Sequence, residues 1–226
     1  MAAVQVPSLP VVGSELKRDS VQIQIAPTSP SSSEEGEART DRFFVQSPYT
    51  EQDHLLDLDT LDYENALFAR ALAKLRNTRP DYATAPYDQS FNWDEVIDEL
   101  RTLVRQSSPD RSFTQTSFYV VAFRSQIKPE TDYSHLGELD KAAHAEAVAS
   151  GGFLKYWFGE PDAELRNLAT CLWRSREEAI AGGRGPAHRK AAGSTRSLYA
   201  YWKIDQHRLT IADGVESFEI APWEAA

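Results

Sequence analysis

The chain has 226 residues, 41% hydrophobic and 11% aromatic, which suits one ordinary domain with appendages or two very small ones. A formal net charge of -10 excludes a nonspecific binder of nucleic acid or anionic membrane, because both need a basic footprint. The single cysteine, Cys171, excludes an internal disulfide framework and a multi-cysteine zinc site. It fits a reducing compartment, most simply the cytoplasm, with passage into the nucleus left open.

Residues 1–42 are rich in Ser, Pro, Glu and Thr, with Ser31-Ser32-Ser33-Glu34-Glu35 at the centre. Such a stretch buries too little apolar surface to offset its ordering entropy, so a disordered tail is expected. Val21, Ile23 and Ile25 alternate like a short strand, but Pro27 and Pro30 follow at once. Pro7 and Pro10 interrupt any apolar run behind the N-terminus, so no signal peptide is expected. No run of about 18 apolar residues suggests a membrane span.

Residues 43–112 read as an arm followed by two accessory helices. The first helix is expected over 60–77, capped by Thr60, with Leu61, Leu67, Phe68, Ala71, Leu72 and Leu75 forming one stripe. Pro80 and Pro86 punctuate a loop over 79–88. The second helix is expected over 92–106, capped by Asn92, with Trp93, Val96, Ile97, Leu100 and Val104 inward. Neither carries enough core to stand alone.

From 113 to 226 the order is strand, helix, strand, strand, helix, strand. The expected strands cover 118–124, 153–158 and 168–174, with 204–211 and 217–220 closing the unit. A helix over 136–150 stops at Gly151-Gly152. Ser175 and Glu178 form a capping box that opens a short helix, and Pro186 opens another running to about 202. This predicts an α+β fold, a ferredoxin-like βαββαβ sheet with helices on one face. Strand parity puts Tyr119, Val121 and Phe123 on one side with Leu154, Tyr156 and Phe158, and with Ala169, Cys171 and Trp173. That uncharged side should lie beneath the helices. The other carries Arg124, Lys155 and Arg174 among apolar neighbours, and should meet either a second copy of the sheet, giving a homodimer, or another element of the chain.

Asp140 and His144 stand four apart on one helix and can form an oriented acid–base pair, although the spacing equally suits a surface ion pair. His188 follows a glycine-rich approach to a helix N-terminus, where it can reach a ligand or simply mark a hinge. These three are the candidate catalytic residues. Tyr119, Tyr156, Asn167, Trp173 and Arg174 are the candidate substrate-binding residues, on the view that a few of the many aromatics line a cavity for a planar apolar ligand. Cys171 is interior by parity and reads as an inert core thiol. No phosphate loop, dinucleotide fingerprint or histidine pair with metal spacing occurs, so no cofactor and no metal are expected.

The blocks Leu139-Asp140-Lys141-Ala142-Ala143-His144-Ala145-Glu146, Gly152-Phe153-Leu154-Lys155-Tyr156-Trp157-Phe158-Gly159 and Asn167-Leu168-Ala169-Thr170-Cys171-Leu172-Trp173-Arg174-Ser175-Arg176-Glu177-Glu178-Ala179 resemble a family of uncharacterised fungal proteins. Asp81-Tyr82-Ala83-Thr84-Ala85-Pro86-Tyr87 resembles it too, and the match runs over about 56–223. More distantly, the strand–helix order is similar to the dimeric α/β-barrel superfamily of antibiotic-biosynthesis monooxygenases, haem-degrading monooxygenases and small polyketide cyclases. That resemblance implies two sheets packed across a dimer and pockets between sheet and helices. It also implies an Asn/Trp/Arg set of the type used by cofactor-free monooxygenases; Asn167, Trp173 and Arg174 are of those types. The function expected is a small-molecule enzyme of cofactor-free monooxygenase or cyclase/isomerase type. The alternative is a noncatalytic ligand-binding or protein-interaction module.

Overall fold

The computed structural model describes residues 42–107 and 110–224, which lie within one unit. The expected disordered tail and the strand-like 21–25 lie outside them, save for Arg42. Strands β1 (Phe43–Phe44) and β2 (Leu56–Asp57) pair antiparallel and close the arm between them. Helix α1 (Tyr63–Ala71) begins at Asp62, whose carboxylate accepts from the Asn65 amide at 3.1 Å, and it passes into a 3-10 turn at Leu72–Lys74. Thr60 is therefore not the cap: it closes a separate 3-10 turn, Leu58–Thr60, that Asp57 caps. A carboxylate at Asp62 suits the helix N-terminus better than a hydroxyl two residues earlier. One helical turn, α2 (Tyr87–Ser90), interrupts the proline-punctuated loop, and α3 (Trp93–Gln106) follows. The Asn92 side chain does not cap α3. Its Oδ1 accepts from the Arg76 amide at 2.8 Å and ties the two helical segments together.

Next come β3 (Thr116–Ile127), α4 (Tyr133–Ser150), β4 (Phe153–Phe158), β5 (Arg166–Trp173), α5 (Arg176–Gly182), α6 (Pro186–Leu198), β6 (Tyr199–Ile211) and β7 (Phe218–Pro222). Asp132 caps α4 and Ser175 caps α5. The five strands pair antiparallel in the order β4-β5-β3-β6-β7. The first four follow the ferredoxin-like order, and β7 adds a hairpin edge. The last helix ends at Leu198, not near 202, because the Tyr199-Ala200-Tyr201-Trp202 run extends β6 along β3 as far as Ile127. Aromatic residues favour the pleated surface over a helix end.

The two faces of the sheet have different fates. Tyr119, Trp173 and Phe153 pack in one core on the side of α4. Leu154 breaks the simple parity. A bulge between Phe153 and Lys155 shifts the register, so Phe153 shares a side with Tyr156 and Phe158 while Leu154 enters the opposite core. On that opposite side Phe118, Val120, Ala122, Leu168, Leu172 and Leu209 are fully buried. The N-terminal block covers them: Phe68 lies on Phe118 with ring centroids 4.3 Å apart, and Phe91 meets Trp157 edge-on at 4.9 Å. Arg124 donates to the carbonyls of Ala83 and Ala85 and to Asp205, fastening the 83–88 loop over the sheet. Of the two covers expected for this face, a second copy of the sheet or another element of the chain, the structure shows the second: its apolar side chains are buried within the same chain.

Candidate functional site

Between the other face of the sheet and the helices lies a cavity of 520 Å³. It exists because the helices present small residues there: Gly137 and Ala143 on α4, and Ala191, Ala192 and Thr195 on α6. Gly137, Asp140, Ala143 and His144 on α4, and Ala191, Ala192 and Thr195 on α6, recur at three and four, which turns one stripe of each helix toward the sheet. The sheet answers with Val121, Phe123, Phe153, Tyr156 and Phe158, and Trp202 stacks on Phe123 at 6.0 Å. Small against large leaves space with an aromatic wall.

One end of this space is polar. Asp140 accepts from the Tyr156 hydroxyl at 2.5 Å on Oδ1 and from the Tyr49 hydroxyl at 2.5 Å on Oδ2. Burial raises the Asp140 carboxyl above its usual range, against the pull of the two phenols. Burial and the adjoining carboxylate push both phenols above the ordinary tyrosine value. His144, four residues on, does not pair with Asp140. Its Nδ1 lies 2.8 Å from Nδ1 of His54, and its Nε2 is buried without a hydrogen-bond partner. Burial, then the neighbouring His54, lowers the His144 pKa to about 3, so the ring is neutral. The shared contact requires one ring nitrogen to donate and the other to accept.

His188 completes the cluster through Glu146. The Glu146 carboxylate accepts from the Ala187 and His188 amides at the start of α6 and from His188 Nδ1 at 2.8 Å. Burial acts upward on that carboxyl, but the amides and the ring hold it below the usual range. The carboxylate thus caps a helix on a neighbouring element and orients a histidine that lines the cavity. A Cβ at position 185 would lie 1.9 Å from the Glu146 carboxyl carbon, so Gly185 is what lets the carboxylate approach.

Three expected catalytic residues, Asp140, His144 and His188, therefore line one cavity, together with Tyr156 and Asn167. The Asn167 side chain accepts from Tyr82 at 2.8 Å. Trp173, Arg174 and Tyr119 do not line it, and their expected binding role is corrected. Trp173 is 3% exposed, donates to Cys171 Sγ at 3.2 Å, and packs so closely on α5 that a Cβ at Gly182 would lie 2.4 Å from its ring. Arg174, just past the end of β5, pairs with Glu178 on α5. Tyr119 packs edge-on against Trp223 at 5.0 Å. The Asn/Trp/Arg trio is not assembled. Cys171 lines the cavity but burial pushes its thiol up to about 11, away from nucleophilic use.

Two residues of the site come from the arm: Tyr49 and His54. The arm is fastened beside β4, where the Tyr156 amide donates to the Gln46 carbonyl at 3.1 Å, and to α4, where Lys141 pairs with Glu51. Nothing in the local sequence marks Tyr49 and His54, since their partners lie 91 and 90 residues away. Among the described residues no group of three or more His, Cys, Asp or Glu side chains is arranged to hold a metal ion. Among them, too, no helix is long and apolar enough to cross a membrane.

An antiparallel α+β sheet, covered on one face by its own N-terminal block and roofed on the other over an aromatic cavity, defines the class of protein. The chain belongs to the PB2B2.08-like family, whose model matches residues 45–222. It is 39% identical over 187 residues to UPF0643 protein PB2B2.08 of Schizosaccharomyces pombe, covering 79% of this chain and 84% of that one. It is also similar to a solved structure from Nitrosomonas europaea described as an antibiotic biosynthesis monooxygenase, at 12% identity and TM-score 0.35, over 47% of this chain and 89% of that one. A second is SnoaB, a cofactor-independent oxygenase from Streptomyces nogalater, at 12% identity and TM-score 0.34, over 40% of this chain and 90% of that one. A third, Rv0793 from Mycobacterium tuberculosis, is 18% identical with TM-score 0.35, over 49% of this chain and 99% of that one.

Proposed function

We propose that the protein is a small-molecule enzyme that moves a proton on a planar, apolar substrate, as a cyclase, an isomerase or the deprotonating step of a cofactor-free monooxygenase requires. The observation that carries this reading is the convergence of Asp140, His144 and His188 on one aromatic-lined cavity. Asp140 is the general base: burial raises its pKa above the usual carboxylate value, and the Tyr49 and Tyr156 hydroxyls hold it in place. Removing a proton next to a carbonyl shifts negative charge onto oxygen.

The test is turnover of a panel of anthrone-type phenols and cyclisable polyketones by the full chain. Asp140→Asn keeps the shape of the site and removes the base, so turnover should fall by about 10²- to 10⁴-fold while binding persists. No turnover by the unaltered chain across the panel counts against the enzyme. A noncatalytic ligand carrier is the second reading, favoured by one observation: Asp140 and His188 are already partnered by protein groups. Retention of a small molecule through purification, without turnover, is its signature.

A further inference from the structure

One strand edge of the sheet has no neighbour among the described residues. β6 pairs with β7 only from His207 to Ile211, so its first stretch, 199–205, has β3 on one side and no strand on the other. Gln206 turns its carbonyl outward to the Trp223 amide at 2.9 Å, and by alternation Ile204 and Trp202 turn their N–H and C=O groups outward too. The same stretch carries Tyr201, Trp202 and Ile204, three of the six exposed large hydrophobic side chains among the described residues. We propose that a second copy of the chain fills this edge. Two β6 strands pair antiparallel about a two-fold axis and join the two sheets edge to edge, leaving the faces as they are.

Open strand edges in soluble proteins are guarded by charge, proline or a cover. The two outer edges of this sheet obey that rule: Gln46 lies against β4 and takes the Tyr156 amide, while β7 exposes Glu219 and ends in Pro222. On 199–205 the one lysine, Lys203, is neutralised by Asp205 at 2.9 Å, and exposed aromatic side chains stand where guards belong. The stretch is also complementary to itself in one register. Centred on Trp202, the pairing lets Trp202 and its copy exchange their outward hydrogen bonds and sets Ile204 beside Ala200 of the second copy. Lys203 then lies on Tyr201 of the second copy, a cation against a ring face. Centring on Lys203 would set two ammonium groups opposite each other, and centring on Ile204 would drive the strand into Trp223, which already holds Gln206. Trp202 and Ile204 line the aromatic cavity where it is open to solvent. The Trp202 of the second copy continues that wall, so each cavity is completed by the neighbouring chain.

Light scattering on the full chain at micromolar concentration should give twice 25.3 kDa. Trp202→Lys sets like charges opposite each other at the axis, and Ile204→Pro removes an outward N–H that the chain's own ladder does not use. Each variant should return the monomer mass with an unchanged circular dichroism spectrum. A monomer mass for the unaltered chain overturns the proposal. So does a dimer mass that survives both substitutions in folded protein, because the contact would then lie elsewhere. Should neither variant fold, amide exchange in the unaltered chain decides: protection at Trp202 and Ile204 should follow the dimer fraction as the protein is diluted. Protection that is absent, or that persists in the monomer, overturns the proposal, and in the second case another segment of the same chain covers the edge. None of these readings requires turnover, so the dimer and the enzymatic function stand or fall separately.

Discussion

Lys155 is 8% exposed on β4, and burial alone lowers its pKa to about 8. A lysine held there keeps its charge at neutral pH at a cost, because the unfolded chain binds the same proton more tightly. With the folded value below the ordinary 10.5, the unfolded state carries more protons between about pH 8 and 10.5, so stability rises with pH across that window. Below about pH 8 the full cost is present. Lys155→Met should therefore stabilise the protein at pH 7 by about 2–3 kcal/mol, shrinking toward zero near pH 10.5. Urea unfolding of both chains at the two pH values checks this, and a less stable variant at pH 7 refutes it. At this scale the sequence was a partial guide. Parity placed Lys155 on the mixed side, and residue type singled out Asp140, His144 and His188. Which group each would face was not legible: Asp140 and His144 share a helix face yet turn to Tyr49 and His54, about ninety residues away. Local spacing carries no information about such pairings.

Elements follow local rules until a long-range contact overrides them. The cap at Ser175, the glycine stop after α4 and the proline start of α6 are all written within a few residues, and all are found. The bulge at Leu154 and the early end of α6 are not, because each is set by pairing with a strand distant in sequence. The N-terminus of α6 is an instructive intermediate. Its first residue, Pro186, was legible, but its cap is the side chain of Glu146 on α4, 41 residues before the Ala187 amide it accepts from. Glu146→Ala leaves the Ala187 and His188 amides without their acceptor and His188 without its orienting partner. The expected result is a modest loss of stability, as when a helix cap is removed, together with faster amide exchange at Ala187 and His188. Unfolding by urea and exchange followed by NMR read the two effects separately. Unchanged exchange at those amides would mean that the carboxylate is not the cap.

The whole molecule is a sheet with two different coverings. One covering is helical and leaves an aromatic cavity; the other is the N-terminal block, which fills the core on its side and leaves a more polar pocket along the 83–88 loop. Fold class was legible because the order of extended and helical stretches, read with parity, is a property of the chain as a whole. The choice between a second copy and the accessory helices as cover for the mixed face was not, since either would bury the same apolar side chains. The structure makes the N-terminal block part of the core: Phe68, Leu72, Ile97 and Leu100 are fully buried in the same cluster as Phe118, Val120 and Leu172. A chain reduced to 113–224 would keep its strands and expose that entire face. At roughly 25 cal/mol per Å² of apolar surface returned to water, losing the cover costs more than a marginally stable domain can spare. The fragment is therefore expected to self-associate through the bared sheet or to be recovered only as aggregate. Light scattering on the fragment decides the matter. A folded monomer at micromolar concentration would show that the sheet needs no cover, and that the N-terminal block is held for its Tyr49 and His54 and not for the core it completes.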